Sequence, residues 1–264
     1  MKGSTTPLPS VLAPRGPYAA RNIIGPLLRE TGLLFEALAQ GRSVEEAHRA
    51  AMDGSLFPQR SRSSRKRFWS ALHARYLVDQ PGWAMQELVT RVGADPSSPE
   101  SIGLLFLYFS LRDRISFEFV TGPLWGRWSA SQGQVTPEAV LEFLDEIGEQ
   151  GQSSHPWTEA TRAKIASALL TSLRDFGLLR GARKKILCRP PLPLPTVEHL
   201  LRLMTAAGAK GRQVLEDPAW RLFLRTPAEV AHLLSQLAVE QRIRFEKVGR
   251  TVVLETPATW ETSR

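Results

Sequence analysis

The chain has 264 residues, of which 42% are hydrophobic and 23% are charged, and this globular composition excludes a wholly disordered protein. Its formal net charge of +8 favours a polyanionic partner, either nucleic acid or an acidic membrane surface. The single cysteine, Cys188, excludes an intramolecular disulfide and a thiolate metal cluster.

The sequence predicts a cytoplasmic protein that has no membrane partner. Lys2 is followed by small and polar residues rather than by the apolar segment of a signal peptide. The longest apolar run, Ile102 to Leu111, is far shorter than the ~20 residues that a membrane-spanning helix needs. We therefore expect this run to form a buried core helix.

Proline-rich stretches divide the chain into four predicted segments. Residues 1–17 are predicted to be a flexible tail, and residues 18–95 a three-helix unit of the helix-turn-helix type. A central helical region with a basic stretch is expected at 96–189, and a winged-helix-like unit with a small β-hairpin at 190–264. The predicted fold class is therefore mainly α.

In the first unit, one helix should span Leu27 to Gln40 before Gly41, and a second should begin at Ser43 and stop at Asp53-Gly54. Glu46, three residues after Ser43, completes a capping-box pattern.

A third helix is predicted from Ser61 to Leu77. At about 100° per residue, its apolar and polar residues separate onto two sides. One side should be buried and carries Phe68, Trp69, Leu72 and Tyr76. The other should be exposed and carries Ser63, Lys66, Arg67, Ser70 and Ala74. The connection from Gly54 to Arg60 is longer than the usual turn of a helix-turn-helix, so the packing angle of this helix stays open.

The central region should contain a helix from Ser101 to about Phe119 and an acidic helix opened by Thr136-Pro137. Another helix should start at Thr158 and end at Gly177, before a basic stretch with β-prone residues at 186–188.

After the second proline-rich stretch, a helix is expected from Thr196, and another from Thr226 to about Gln241. Two alternating stretches follow at 242–247 and 251–255, with a turn at Gly249. A helix followed by a two-stranded ribbon is typical of the end of a winged-helix domain.

No pattern for catalysis, a cofactor or a metal stands out. The five histidines are scattered without a second ligand three or four residues away, so we predict no metal site. Cys188 and His199 could be read as a nucleophile and its base, but a lone cysteine beside a basic stretch is usually incidental. The acidic residues between Glu138 and Glu149 are better explained as a solvated helix face. We therefore predict that the protein is not an enzyme and binds no cofactor.

Positive charge is concentrated in two stretches that contain no acidic residue, as expected of a phosphate-binding surface. The first comprises Arg60, Arg62, Arg65, Lys66, Arg67 and Arg75, and the second Arg180, Arg183, Lys184, Lys185 and Arg189. The predicted DNA contacts are Arg60, Arg62, Ser63, Ser64, Arg65, Lys66, Arg67, Arg180, Arg183, Lys184 and Lys185. We expect Arg65, Lys66 and Arg67 to be largely exposed.

Two other readings of this charge stay open. It could be a solvated surface, or its arginines could pair with the acidic helix. The ribbon residues Arg242, Arg244, Lys247 and Arg250 form a weaker candidate, because Glu246 and Glu255 dilute their charge.

Several patterns along the chain resemble the BrxA family, small accessory proteins of BREX (bacteriophage exclusion) defence systems. They are residues 30–34 (ETGLL), 38–41 (LAQG), 43–46 (SVEE), 61–67 with the aromatic helix after them, 157–161 (WTEAT), 173–179 (LRDFGLL) and 217–224 (DPAWRLFL). The resemblance implies a helical protein with helix-turn-helix or winged-helix character. It also implies binding to double-stranded DNA and a role beside a BREX methyltransferase and ATPase, with no catalytic residues to carry over.

Two alternatives to DNA binding remain at this point. One is an RNA-binding helical module of the antitermination kind, although Trp69 and Tyr76 fall on the side assigned to the core and leave no exposed aromatic platform. The other is a protein–protein adaptor within the defence complex, whose charged helices dock partner subunits.

Overall fold

The computed structural model of the protein describes residues 10–58, 61–79, 81–149, 153 and 156–260. Helices dominate these residues, so the predicted mainly α fold is confirmed. No helix in these ranges is long and apolar enough to cross a bilayer.

Short connections separate most of the helices. The first four are α1 (Leu28–Ala39), α2 (Val44–Asp53), α3 (Arg62–Leu72) and α4 (Gly82–Ala94). The middle of the chain forms α5 (Pro99–Leu111), α6 (Arg114–Phe119), α7 (Trp125–Ser129), α8 (Pro137–Glu149) and α9 (Glu159–Asp175). The last three are α10 (Leu194–Ala206), α11 (Arg212–Glu216) and α12 (Pro227–Val239). The strands are β1 (Gln134–Val135), β2 (Leu179–Arg180), β3 (Lys185–Leu187), β4 (Arg244–Val248) and β5 (Thr251–Glu255).

Helices α1, α2 and α3 lie where the sequence predicts them, whereas α4 adds a fourth helix to the predicted three-helix unit. The capping box of α2 is present, because the Ser43 hydroxyl accepts from the amide of Glu46 and the Glu46 carboxylate accepts from the amide of Ser43. Gly54 ends this helix in the left-handed region at φ 95°. Ser61 caps α3, and a π-helical turn at His73–Leu77 extends it to the predicted end.

The prediction of one helix from Ser101 to Phe119 is wrong, because the helix breaks at Asp113. This residue has an extended backbone, and its carboxylate accepts hydrogen bonds from the amide and the hydroxyl of Ser116, at 2.9 and 2.6 Å. The carboxylate thus caps a new helix, α6, in place of a continuous hydrogen-bond ladder. The signal was in the sequence, because the charged residues Arg112, Asp113 and Arg114 interrupt the apolar residues at the break.

Strands β1, β3 and β2 form a small antiparallel sheet in that order, with Gln134 opposite Ile186 and Leu179 opposite Leu187. Along the chain the order is β1, α8, α9, β2, β3, so the β2–β3 hairpin directly follows α9. Helices α8 and α9 pack on each other, and α9 also contacts β2.

The predicted C-terminal ribbon is present as the antiparallel pair β4–β5, with Phe245 opposite Leu254, and it follows α12. Helix α12 begins with the predicted capping box of Thr226 and Glu229.

Part of the predicted tail contacts the folded body, and its residues 1–9 lie outside the described residues. The hydroxyl of Ser10 donates to the Asp217 carboxylate at 2.6 Å, and the Arg114 guanidinium donates to the carbonyl of Gly16 at 2.8 Å. Among the described residues, the hydrophobic core extends from Tyr18 to Phe245.

Candidate nucleic-acid interface

Helix α3 has one buried and one exposed side, as its sequence predicts. Trp69, Leu72 and Tyr76 are buried in the core and Phe68 is half-buried. The opposite side is exposed and carries Arg62, Ser63, Lys66, Arg67, Ser70 and Ala74. The amphipathic pattern of the sequence therefore places a basic surface in solvent.

The basic residues of this exposed side keep their charge uncompensated. Arg62, Lys66 and Arg67 form no ion pair with any carboxylate of the described residues. Ser64 is half-buried, and its hydroxyl accepts from the Ser61 hydroxyl at 2.9 Å within the first turn. Arg60 lies outside the described residues.

The expectation that Arg65 is largely exposed is wrong. Its Nε and Nη2 donate to the carbonyl oxygen of Met52 at 3.1 and 2.9 Å, near the C-terminal end of α2. A guanidinium on the last carbonyls of a helix satisfies acceptors that have no partner within the helix. Arg65 therefore helps to position α3 against α2.

Arg75 is also internal, with 3% of its surface exposed. Its Nε donates to Oδ1 of Asn22 at 2.9 Å, its Nη1 donates to the carbonyl of Gly25 at 2.8 Å, and its guanidinium lies 4.9 Å from the centre of the Phe109 ring. Two members of the first basic stretch are thus structural and do not belong to its outer surface.

The second basic stretch occupies the β2–β3 hairpin. Arg180 ends β2, and Arg183 and Lys184 lie in the turn, where all three are exposed and form no ion pair with a carboxylate in the described ranges. Lys185, at the start of β3, is half-buried, and its Nζ lies 3.4 Å from the carbonyl of Ala182. The tip of the hairpin is therefore a second uncompensated basic surface.

Arg189 and two of the four basic ribbon residues, Arg242 and Arg244, carry compensated charge. Arg189 pairs with Glu229 at 2.6 Å. Arg244 pairs with both Glu246 and Glu255, at 3.1 and 3.2 Å. These pairs explain physically why the ribbon is the weaker candidate.

The acidic helix α8 does not neutralise either basic stretch among the described residues. Its Asp145 pairs with Arg162 of α9, which belongs to neither stretch. Within the same residues, no group of three or more His, Cys, Asp or Glu side chains could hold a metal ion.

The family model of BrxA matches residues 18–203, well over half of the chain. The chain belongs to the BrxA family. Membership implies a component of a BREX phage-defence system, with other BREX subunits as its expected partners. No curated protein matches this chain significantly.

A solved structure described as an uncharacterized protein from Magnetospirillum magneticum is similar to this chain, with a TM-score of 0.60. The two are 18% identical, and the alignment covers 79% of this chain and 99% of the other. At this identity the similarity concerns the fold alone.

Proposed function

We propose that this protein is a cytoplasmic, non-enzymatic component of BREX defence that binds double-stranded DNA. The observation that carries the proposal is the β2–β3 hairpin, whose tip holds exposed Arg180, Arg183 and Lys184 without a carboxylate partner in the described chain. Arginine and lysine placed in this way attract phosphates and release their counterions.

The elements around this hairpin support the proposal. The order β1, α8, α9, β2, β3, with β3 between the other two strands, is the connectivity of a winged-helix domain. In helix-turn-helix proteins the second helix of the pair enters the major groove. By this analogy α9 is the recognition helix and the basic hairpin is the wing that follows the phosphate backbone.

The exposed side of α3 supplies a second DNA-contacting surface. Arg62, Lys66 and Arg67 there can reach phosphates, and Ser63 can add a hydrogen bond. Arg65 contributes through the placement of α3 rather than through direct contact.

A titration of a fluorescent mixed-sequence duplex, followed by anisotropy at two salt concentrations, tests the proposal. Three double variants that lower the net charge equally should be compared: R183E/K184E in the hairpin, R62E/K66E in α3, and the control R29E/K210E. All six residues are exposed. We expect the first two to weaken binding at least tenfold and the control to bind like the wild type.

The outcomes separate the functional classes. Equal losses in all three variants would mean that only the net charge matters, and would overturn the proposed surfaces. Tighter binding of a matched RNA hairpin would favour the RNA-binding alternative. Absence of binding to both nucleic acids at low salt would favour the adaptor.

A further inference from the structure

A groove of about 300 Å³ lies between α3 and the 3₁₀ turn at Arg21–Ile24. Its apolar part is formed by Ile23, Ile24, Ala71 and Ala74. Four arginines also line it, namely Arg21, Arg67, Arg75 and Arg112, and no carboxylate does. An apolar groove with a few convergent cationic groups is a common form of small-molecule site.

Buried hydrogen bonds fix the walls of this groove. The guanidinium of Arg75 holds Asn22 and the carbonyl of Gly25, and the Asn22 amide donates to the carbonyl of Phe109 at 3.0 Å. The 3₁₀ turn is therefore anchored on both α3 and α5, and the groove is preformed.

The charges around the groove leave an excess of positive charge. Asp113 is buried near Arg75 and Arg21, and Asp79 lies 3.9 Å from Nη1 of Arg112. These two carboxylates face four guanidinium groups. The Nε of Arg112 is buried and has no hydrogen-bond partner among the described residues, although its Nη2 donates to the carbonyl of Asp79 at 3.0 Å.

We propose that this groove binds a nucleoside phosphate, whether free or at the 5′ end of a DNA strand. Planar guanidinium groups match phosphate oxygens, so Arg21, Arg67 and Arg112 would hold the phosphate. The base would lie against Ile24 and Ala74, and this contact would remove its apolar faces from water. This site goes beyond duplex binding, because its apolar half serves no purpose for a backbone phosphate alone.

Calorimetric titration of the full chain with adenosine 5′-monophosphate tests the site, with adenosine and inorganic phosphate as partial ligands. Two variants target it: Arg112→Gln removes a charge, and Ala74→Trp fills the groove from an exposed position. The matched controls are Lys210→Gln, an exposed charge that does not line the groove, and Ala206→Trp, an exposed position at the end of α10.

We expect adenosine monophosphate to bind, and each partial ligand to bind at least about tenfold more weakly. Arg112→Gln and Ala74→Trp should each weaken binding about tenfold or more, and both controls should bind like the wild type. Absence of binding to the wild type, or equal binding by all four variants, would overturn the site. Thermal unfolding of each variant checks that the fold is retained.

Competition identifies the source of the nucleotide. If a duplex with 5′ phosphates displaces adenosine monophosphate and the same duplex with 5′ hydroxyls does not, the site binds a strand end. If neither duplex displaces adenosine monophosphate, the site binds a free nucleotide. If the protein does not bind adenosine monophosphate but still binds duplex DNA in a salt-sensitive way, only the nucleotide site is overturned. The proposed function then still stands.

Discussion

Nδ1 of His199 lies 2.6 Å from Oε2 of Glu87, and this contact joins α10 to α4 inside the core. On the other side of the ring, Nε2 lies 2.8 Å from the hydroxyl of Tyr108 on α5. Burial, followed by the charge of Glu87, raises the pKa of Tyr108, so its hydroxyl stays protonated and donates to Nε2. A neutral imidazole then donates from Nδ1 to Glu87, and both ring nitrogens are satisfied.

Replacing His199 should destabilise the fold strongly. His199→Ala leaves a cavity and removes the partner of the buried Tyr108 hydroxyl and of the half-buried Glu87 carboxylate, so we expect the free energy of unfolding to fall by about 3 kcal/mol. Urea unfolding measures the change. His232→Ala, at an exposed position of α12, is the control and should stay within about 0.5 kcal/mol of the wild type. A loss below 1 kcal/mol for His199→Ala would show that this network contributes little.

The same network predicts how stability depends on pH. Burial alone would raise the pKa of Glu87, but the hydrogen bond from His199 and the positive charges of Arg91 and Arg202 outweigh it, and the pKa is lowered. Because the folded-state pKa is below the unfolded value, ionised Glu87 stabilises the fold above about pH 4.3. That stability is lost as the pH falls through the folded-state pKa.

Glu87→Gln should therefore flatten the acid limb of the stability curve. Between pH 7 and pH 3, urea unfolding should show a smaller loss of stability for this variant than for the wild type. Asp113, whose pKa is raised by burial, acts in the opposite direction but is common to both proteins and cancels in the comparison. Parallel curves for the two proteins would contradict the role given to Glu87.

Local signals in the sequence predicted local structure well. Ser43, Gly54 and Thr226 fix helix ends through their own backbone neighbours, and all three ends are where the sequence places them. Helical spacing also identified the exposed side of α3. The same spacing could have shown that Arg65 and Arg75 lie on the buried side. Arg65 is four residues before Trp69, and Arg75 is three residues after Leu72.

Features made by distant segments could not be read from the sequence. The groove beside α3 joins Arg21 and Arg112, which lie 91 positions apart. Strand β1 is two residues long and pairs with β3, fifty positions further on, so it carries no periodicity of its own. Helix α4 was not predicted either. Its packing against α1 depends on Gly93, whose close contact with a distant segment cannot be read from the sequence.

Gly93 and Gly148 should respond to alanine in opposite ways. A Cβ at Gly93 would lie 2.6 Å from Cβ of Ala39 and 2.8 Å from the carbonyl oxygen of Phe35, so α1 and α4 would have to separate. We expect Gly93→Ala to cost about 1–3 kcal/mol. Gly148 in α8 has open space around it, so Gly148→Ala should be neutral or add up to about 1 kcal/mol. Thermal and urea unfolding measure both, and equal effects would contradict the close contact of the two helices.

A substitution at Gly181 tests the geometry of the hairpin without changing its charge. Its φ is +98°, and a Cβ there would lie 2.2 Å from the carbonyl oxygen of Lys184, so Gly181→Ala must open the turn that carries Arg183 and Lys184. If the hairpin contacts DNA as proposed, this variant should weaken duplex binding about three- to tenfold in the anisotropy titration, with the net charge unchanged. Gly249→Ala is the control, because it also has a positive φ, of +58°, but meets no atom within 4 Å and lies in the β4–β5 turn. Wild-type binding by Gly181→Ala would mean that the charge of the hairpin acts without a defined geometry, whereas equal weakening by both variants would point to a general loss of stability.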